Sequence, residues 1–213
     1  MQFRRPLPIE LLAVTLAALL MVGLGVWQLQ RLQWKQGLLE HIAQAQNGPI
    51  LGTLPQSEDE LKALEYRHVM LAGHWRLDKP ELHLVGQQSN GYIWLKPFQL
   101  EDSDQIVLVP LGWFPIGAQV SADLPKTTQV EGYIRLPKTK RLFSPDNHPD
   151  KNVWFIENVP EMEKALGLKL LPVVVETKPM PPLRNDHLGY AITWFMLAGA
   201  CVVMYLIALR KKV

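Results

Sequence analysis

The chain has 213 residues, with 22 Lys and Arg against 20 Asp and Glu, and a single cysteine. A formal net charge of +2 gives no electrostatic footprint for nucleic acid, so we expect no nucleic-acid partner. One cysteine excludes a disulfide within the chain. Apolar residues are concentrated near the two ends, whereas the middle, about 155 residues, is large enough to bury a core of its own.

The first predicted element is a membrane-spanning helix at residues 9–29, after a short tail at 1–8. No residue from Leu11 to Gln30 is charged, and about 20 apolar residues in a helix cross a bilayer core. A cleaved signal peptide is the alternative. The apolar run is long for a signal core, however, and no small-residue cleavage site follows it. We therefore expect an uncleaved anchor, and the missing transit peptide favours a bacterial chain.

Between the spans, the sequence predicts short helices and strands. The first span continues as a helix until Asn47-Gly48-Pro49, and Ser57 with Glu60 predicts a capping box for a helix at 57–64. A second short helix is predicted at 160–166. From residue 67 the apolar period changes toward two. The predicted strands are 67–75, 81–85, 91–100, 105–114, 129–136, 152–158 and 170–177. This pattern indicates a mainly antiparallel β (α+β, barrel-like) domain over residues 30–186.

A second spanning helix is predicted at residues 187–209, followed by a tail at 210–213. From Leu188 to Leu209 no residue is charged. Five basic residues and one acid lie at the outer flanks of the two spans: Arg4, Arg5, Arg210, Lys211 and Lys212, with Glu10. Because basic tails stay inside, both ends should be cytoplasmic. We expect a multi-pass protein of the bacterial inner membrane, in contact with membrane lipid and with its soluble domain in the periplasm.

The middle domain carries no signature of an enzyme. It has no phosphate-binding glycine loop, no nucleophile elbow and no paired-histidine zinc motif. Cys201 lies in the second apolar run, which excludes thiolate chemistry in the domain. His68 and His74 would share a strand face, and His83 could complete a metal site. Their spacing matches no usual metal signature, so we favour scattered surface histidines and expect no catalytic residue.

The candidate site lies where the two spans leave the bilayer on the domain side. Each span contributes three side chains at helical spacing, so that each triplet shares one helix face. The triplets are Trp27, Arg31 and Trp34 on the first span, and His187, Tyr190 and Trp194 on the second. An imidazole, flat rings and cations suit haem, with His187 on the iron. Lys35 and Arg184 could join Arg31 in pairing with carboxylate tails. The competing interpretation is a belt of interfacial anchors without a ligand.

Two motifs at the spans resemble those of the Surfeit-one proteins. The run from Leu24 to Lys35 is similar to their opening pattern Leu-Gly-x-Trp-Gln-x-x-Arg-x-x-Trp-Lys. The run from Arg184 to Phe195 is similar to their closing pattern Asn-x-His-x-x-Tyr-x-x-Thr-Trp. Weaker similarity covers residues 66–73, 111–115 and 144–155. The sequence departs from the family at Leu111, where arginine is usual, and at 87–91, where a glycine-rich loop is replaced.

The resemblance implies an assembly factor for haem–copper terminal oxidases, chiefly cytochrome c oxidase, and not an enzyme. It implies that haem a is bound transiently and placed in the oxidase catalytic subunit, with His187 as the haem contact. The implied neighbours of the haem are Tyr190, Trp194, Trp27, Arg31 and Trp34. The implied partners are the catalytic subunit and the haem a synthesis enzymes. One alternative is a membrane-anchored scaffold that binds oxidase subunits without contacting haem. Another, an envelope lipid or metal carrier, would need pocket ligands that we do not identify.

Overall fold

The chain forms two compact units. The computed structural model describes residues 7–86, 90–101, 103–118, 128–179 and 184–210. The first unit contains residues 1–41 and 181–213, and the second contains residues 42–180. The second unit begins within helix α1, at the buried Ile42, so the last turn of this helix is counted with the second unit.

The first unit is a pair of long apolar helices, α1 at Pro8–Gln46 and α4 at His187–Ala208. Each contains an 18-residue window that is apolar enough to cross a membrane. Only 6% of the window in α1 and 11% of the window in α4 are buried. A core helix of a soluble protein would be mostly buried, so these surfaces fit a lipid environment. Both predicted spans are confirmed as helices.

The second unit is built on a seven-stranded sheet with two short helices, α2 at Glu58–Ala63 and α3 at Val159–Leu166. The strands are β1 His68–Trp75, β2 Leu82–Val85, β3 Gly91–Leu100, β4 Ile106–Pro115, β5 Gln129–Arg135, β6 Val153–Trp154 and β7 Val174–Glu176. Five of them pair in the order β1-β5-β7-β4-β3, and β3 pairs with β1 again, which closes a barrel. Strands β2 and β6 extend the sheet beyond β3. The predicted fold class is confirmed.

Two apolar cores lie on opposite faces of the long strands β3 and β4. Val107 and Val109 face the barrel interior, while Ile106 and Leu108 face a second cluster around the fully buried Trp154. Because both faces are covered, five consecutive residues of β4 are buried. On β1 only one face is buried, so Val69 and the next alternate residues follow a period of two. Closure of the barrel therefore leaves a protected interior, and β2, β6 and α3 cover its flank.

Two predicted strands are much shorter than expected, because side chains take the backbone amides. Over 152–158, only Val153–Trp154 is a strand, since Oδ1 of Asn147 accepts the next two amide protons, those of Phe155 and Ile156. Over 170–177, only Val174–Glu176 is a strand. There the amide of Leu170 donates to Oε1 of Glu163, 2.8 Å away, instead of to a ladder.

The predicted capping box at α2 is wrong. Ser57 is the N-cap residue, but its side chain makes no capping hydrogen bond. The three acidic residues of the first turn, Glu58, Asp59 and Glu60, instead lie at the positive end of the helix dipole. Lys62 pairs with Glu58 at 2.9 Å, one turn away.

Candidate functional site

The closing motif places a histidine at the first turn of α4. The ring of His187 is partly buried, and its Nδ1 lies 2.8 Å from Oε1 of Gln28 on α1. With Oε1 as the partner, Nδ1 is the donor of this bond, because an amide oxygen only accepts hydrogen bonds. The bond orients the imidazole ring and leaves Nε2 without a protein partner among the described residues.

Small residues bring α1 and α4 into contact along one seam. Gly25 of α1 is buried, and a Cβ atom added to it would lie 2.7 Å from ring carbons of Phe195. Ala191 and Ala198 of α4 are buried one heptad apart. Residues with little or no side chain let helices approach closely in lipid. Gln28 lies three residues after Gly25, so its bond to the histidine lies on this same seam.

A second contact joins α1 to the segment just before α4, two turns after Gln28. The ammonium group of Lys35 donates a hydrogen bond to the backbone oxygen of Arg184. The guanidinium of Arg184 lies 3.0 Å from a carboxylate oxygen of Asp186, the N-cap residue of α4. Two cations of the proposed carboxylate-binding set are therefore held beside the histidine end of the seam.

The three candidates of the first span lie on a different face of α1 from the seam. Trp27 and Trp34 are 50% and 56% exposed, and Arg31 is also exposed. The guanidinium carbon of Arg31 lies 4.4 Å from the ring centroid of Trp34, a cation–π contact. These three residues thus form an exposed strip of aromatic and cationic side chains, and none of them lies on the seam.

The three candidates of the second span divide between two faces of α4. His187 and Trp194 are both partly buried and lie one heptad apart, on the same side as Ala191. Tyr190 is exposed. The structure therefore brings His187 to α1 and leaves the phenol ring on the open surface.

Gln28 is the functional candidate that sequence reasoning missed. Gln28 stands in the opening motif next to the more conspicuous Trp27, and the motif alone gives it no role. The available signal was a polar amide inside an uncharged apolar run, because such a side chain needs a partner in lipid.

The residues of the weaker middle motif have structural roles. The side chain of Asn152 donates to the backbone oxygen of Glu81 at 2.7 Å and accepts from the indole nitrogen of Trp154 at 3.0 Å. Asn152 itself has a positive φ of 53°, a conformation that asparagine adopts more readily than most residues. These bonds fix the turn before β6 and position the largest side chain of the second core.

Of the two departures from the family pattern, one lies inside strand β4. Leu111 lies half-buried on β4, directly before Gly112, whose φ is +130°. Any contact made by the family arginine is therefore replaced here by an apolar side chain. Residues 87–89 of the other departure lie outside the described residues.

The histidines of the domain have ordinary neighbours. Nε2 of His68 lies 3.2 Å from Oε1 of Glu131, and the ring of His83 stacks on Tyr92 and Trp94. Within the residues that the structure describes, no group of three or more His, Cys, Asp or Glu side chains could hold a metal ion.

Comparison with known proteins identifies relatives over most of the chain. The SURF1 family model matches residues 15–199. A SURF1-like protein of Rickettsia bellii (strain RML369-C) is 33% identical over 226 residues, covering 94% of this chain and 90% of the relative. A SURF1-like protein of Rickettsia conorii is 30% identical, covering 90% and 88%. Surfeit locus protein 1 of Homo sapiens is 30% identical, covering 84% and 70%.

Fold and site together define a membrane protein with two apolar helices and a β-barrel domain between them in sequence. The family match extends from the first helix to the second and includes both motifs that meet at the Gln28–His187 bond. The chain belongs to the SURF1 family, known as cytochrome c oxidase assembly factors. The resemblance found in the sequence is thereby confirmed.

Proposed function

We propose that this assembly factor binds haem a transiently and aids its insertion into the catalytic subunit of a haem–copper oxidase. The observation that carries the proposal is the hydrogen bond from His187 Nδ1 to Gln28. Metal-ligating histidines commonly donate their second ring N–H to an acceptor, which fixes the ring and raises its basicity. A histidine prepared in this way, at the end of an apolar helix pair, fits haem iron.

The chain's own groups match the other parts of such a ligand. Haem a would supply an iron that accepts a nitrogen ligand, a hydrophobic macrocycle and anionic carboxylate tails. His187 offers Nε2 to the iron, and the rings of Trp194, Tyr190, Trp27 and Trp34 are flat apolar surfaces for the macrocycle. Arg31, Lys35 and Arg184 are the cations within reach of the two motifs, and guanidinium groups bind carboxylates by two parallel hydrogen bonds.

A single histidine ligand favours release as well as capture. The catalytic subunit would take the iron if its own site offers more ligands, so transfer needs no chemical step in this chain.

The proposed orientation in the membrane has the barrel domain in the periplasm and both tails in the cytoplasm, because the outer flanks carry the basic residues. Alkaline phosphatase fused after residue 213 should be inactive, and an active fusion would contradict this orientation.

The haem proposal is tested by co-expressing the full chain with haem a synthesis enzymes. The purified His187→Ala protein should lose most of its Soret absorbance per mole of protein. The matched control is His41→Ala, because this histidine is exposed on the same helix pair but away from the Gln28 bond. Equal Soret absorbance in the wild type and in both variants would remove His187 from haem binding.

The second candidate function is a scaffold that binds oxidase subunits without contacting haem. The end of β4 favours it, because Trp113 is 37% exposed and Ile116 is 65% exposed. Exposed aromatic side chains are typical anchors of protein interfaces. Under this function, Trp113→Ser would abolish co-purification of the oxidase catalytic subunit, while the wild-type protein would carry no Soret band.

A further inference from the structure

The most exposed large apolar side chains in the described part of the chain are not on the spans. Leu142 and Phe143, in the loop between β5 and β6, are 88% and 91% exposed. Ile9, the most exposed apolar residue of the helix pair, reaches 74%. Apolar side chains at the tip of a loop in a water-soluble domain mark an interaction site when they are adjacent and fully presented.

A defined turn presents these two side chains. The backbone amide of Arg141 donates to Oγ of Ser144 at 3.0 Å, and the amide of Ser144 donates to the backbone oxygen of Arg141 at 3.0 Å. Leu142 and Phe143 therefore occupy the two central positions, which usually hold glycine, proline, asparagine or aspartate. The turn itself does not require either apolar residue, so their presence needs another reason.

The tip has a cationic surrounding. Residues 138–151 contain four basic and two acidic side chains. Lys140 bonds to Asp146, and this contact lowers the pKa of the Asp146 carboxyl below its ordinary value. Across the ranges that the structure describes, the side chains of Lys138 and Arg141 enter no ion pair, and both are exposed. The turn is thus an apolar tip with unpaired positive charge beside it.

We propose that this turn docks on an anionic lipid surface, with Leu142 and Phe143 at the headgroup boundary and Lys138 and Arg141 on lipid phosphates. Apolar side chains flanked by Lys and Arg are the pattern of interfacial membrane anchors. Two side chains are far less than the roughly 800 Å² per partner of a stable protein interface. A weak anchor suffices here, because the spans tether the domain to a bilayer. The tether raises the effective concentration of the turn at the lipid surface, so the turn needs little affinity of its own.

The proposal is tested on the full chain in nanodiscs of phosphatidylcholine, alone or with phosphatidylglycerol. A Cys201→Ala background with Phe143→Cys carries the polarity-sensitive fluorophore NBD at the tip. Its emission should rise, shift to shorter wavelength and be quenched by brominated lipid in the anionic discs. Lys138→Gln and Arg141→Gln should each lower the ratio of docked to undocked protein about fivefold, the value for one basic residue at such a surface.

The control and the refuting results use the same label. Leu77→Cys places NBD at a 71% exposed apolar position beside Asp78, and its emission should stay water-like in both discs. Water-like emission from position 143 in anionic discs would overturn the proposal. A change at position 143 only after the oxidase catalytic subunit is added would also overturn it, and would identify a protein interface instead.

Discussion

Replacing Glu157 by glutamine should destabilise the barrel domain, because this carboxylate is fully buried and holds a cation that is mostly buried. Its side chain is 0% exposed. The two carboxylate oxygens accept from the terminal nitrogens of Arg135, both at 2.7 Å, and one also accepts the amide proton of Lys138 at 2.6 Å. Burial opposes the charged form of Arg135. Hydrogen bonding and the charges of Glu157 and Glu176 outweigh it and raise the guanidinium pKa above its ordinary value.

The expected magnitude follows from what remains after the change. Removing one partner of a buried ion pair costs about 3–5 kcal/mol, since the other charge stays buried without its partner. Glu176 lies 3.6 Å from Nε of Arg135 and compensates in part, so we expect the lower end, about 3 kcal/mol. For a chain of this size, 1 kcal/mol shifts Tm by about 2–4 °C, which gives a fall of about 6–12 °C.

The assay is thermal unfolding of the full chain in detergent, followed by near-ultraviolet circular dichroism. Glu58→Gln is the matched control, because its pair with Lys62 is exposed to solvent and contributes little to stability. The double variant Arg135→Met, Glu157→Leu should recover part of the loss, because only the partly exposed Glu176 is left without its cation. A shift in Glu157→Gln no larger than in the control would refute the reasoning, as would a double variant that loses the sum of the single losses.

Three further predictions concern the seam and one surface pair. Gln28→Leu should weaken haem binding about 10–100-fold, the usual effect of losing the partner of a ligating histidine, whereas the exposed Gln30→Leu should not; Soret titration measures both. Gly25→Leu should reduce cysteine cross-linking between the two helices because its side chain has no room, while Gly23→Leu, with open space around it, should leave the yield unchanged. The pKa of Asp78 is about 2, lowered first by its hydrogen bond to the neighbouring arginine. Its contribution to stability is therefore present above its ordinary pKa and is lost as the pH falls through about 2, so the Tm deficit of Asp78→Asn should disappear there.

The strands of the domain are predictable from the sequence where one strand face is buried or where clear turn signals flank the strand. The alternation around Val69 gives β1, and the glycine and polar residues that flank 91–100 give the bounds of β3. The lengths of β6 and β7 are not predictable in this way. They depend on side chains distant in sequence, since Asn147 takes the amide of Phe155 and Glu163 takes that of Leu170. Closure of the barrel by β3 and β1 is likewise a long-range pairing without a local signal.

Helix periodicity predicts which site residues share a face, but not which face meets the other helix. Trp27, Arg31 and Trp34 do form one strip of α1, yet the seam lies on Gly25 and Gln28. The rotation of each helix is set by where its smallest side chains allow close approach. Large aromatic residues attract attention in a sequence, whereas the absence of side chain at Gly25 decides the packing.

The same physics explains why a polar pair lies on the seam. Gln28 lies near the end of an apolar run, where its amide would find few partners outside the seam. An unpaired polar group in hydrocarbon costs on the order of several kcal/mol. The imidazole of His187 provides this partner by donating from Nδ1 to the amide oxygen of Gln28. Nε2 of His187 then has no protein partner among the described residues. The contact thus favours the tautomer that carries its proton on Nδ1 and keeps the lone pair on Nε2. A histidine placed at the same depth without Gln28 would lack this constraint, so the amide and the imidazole form one functional unit.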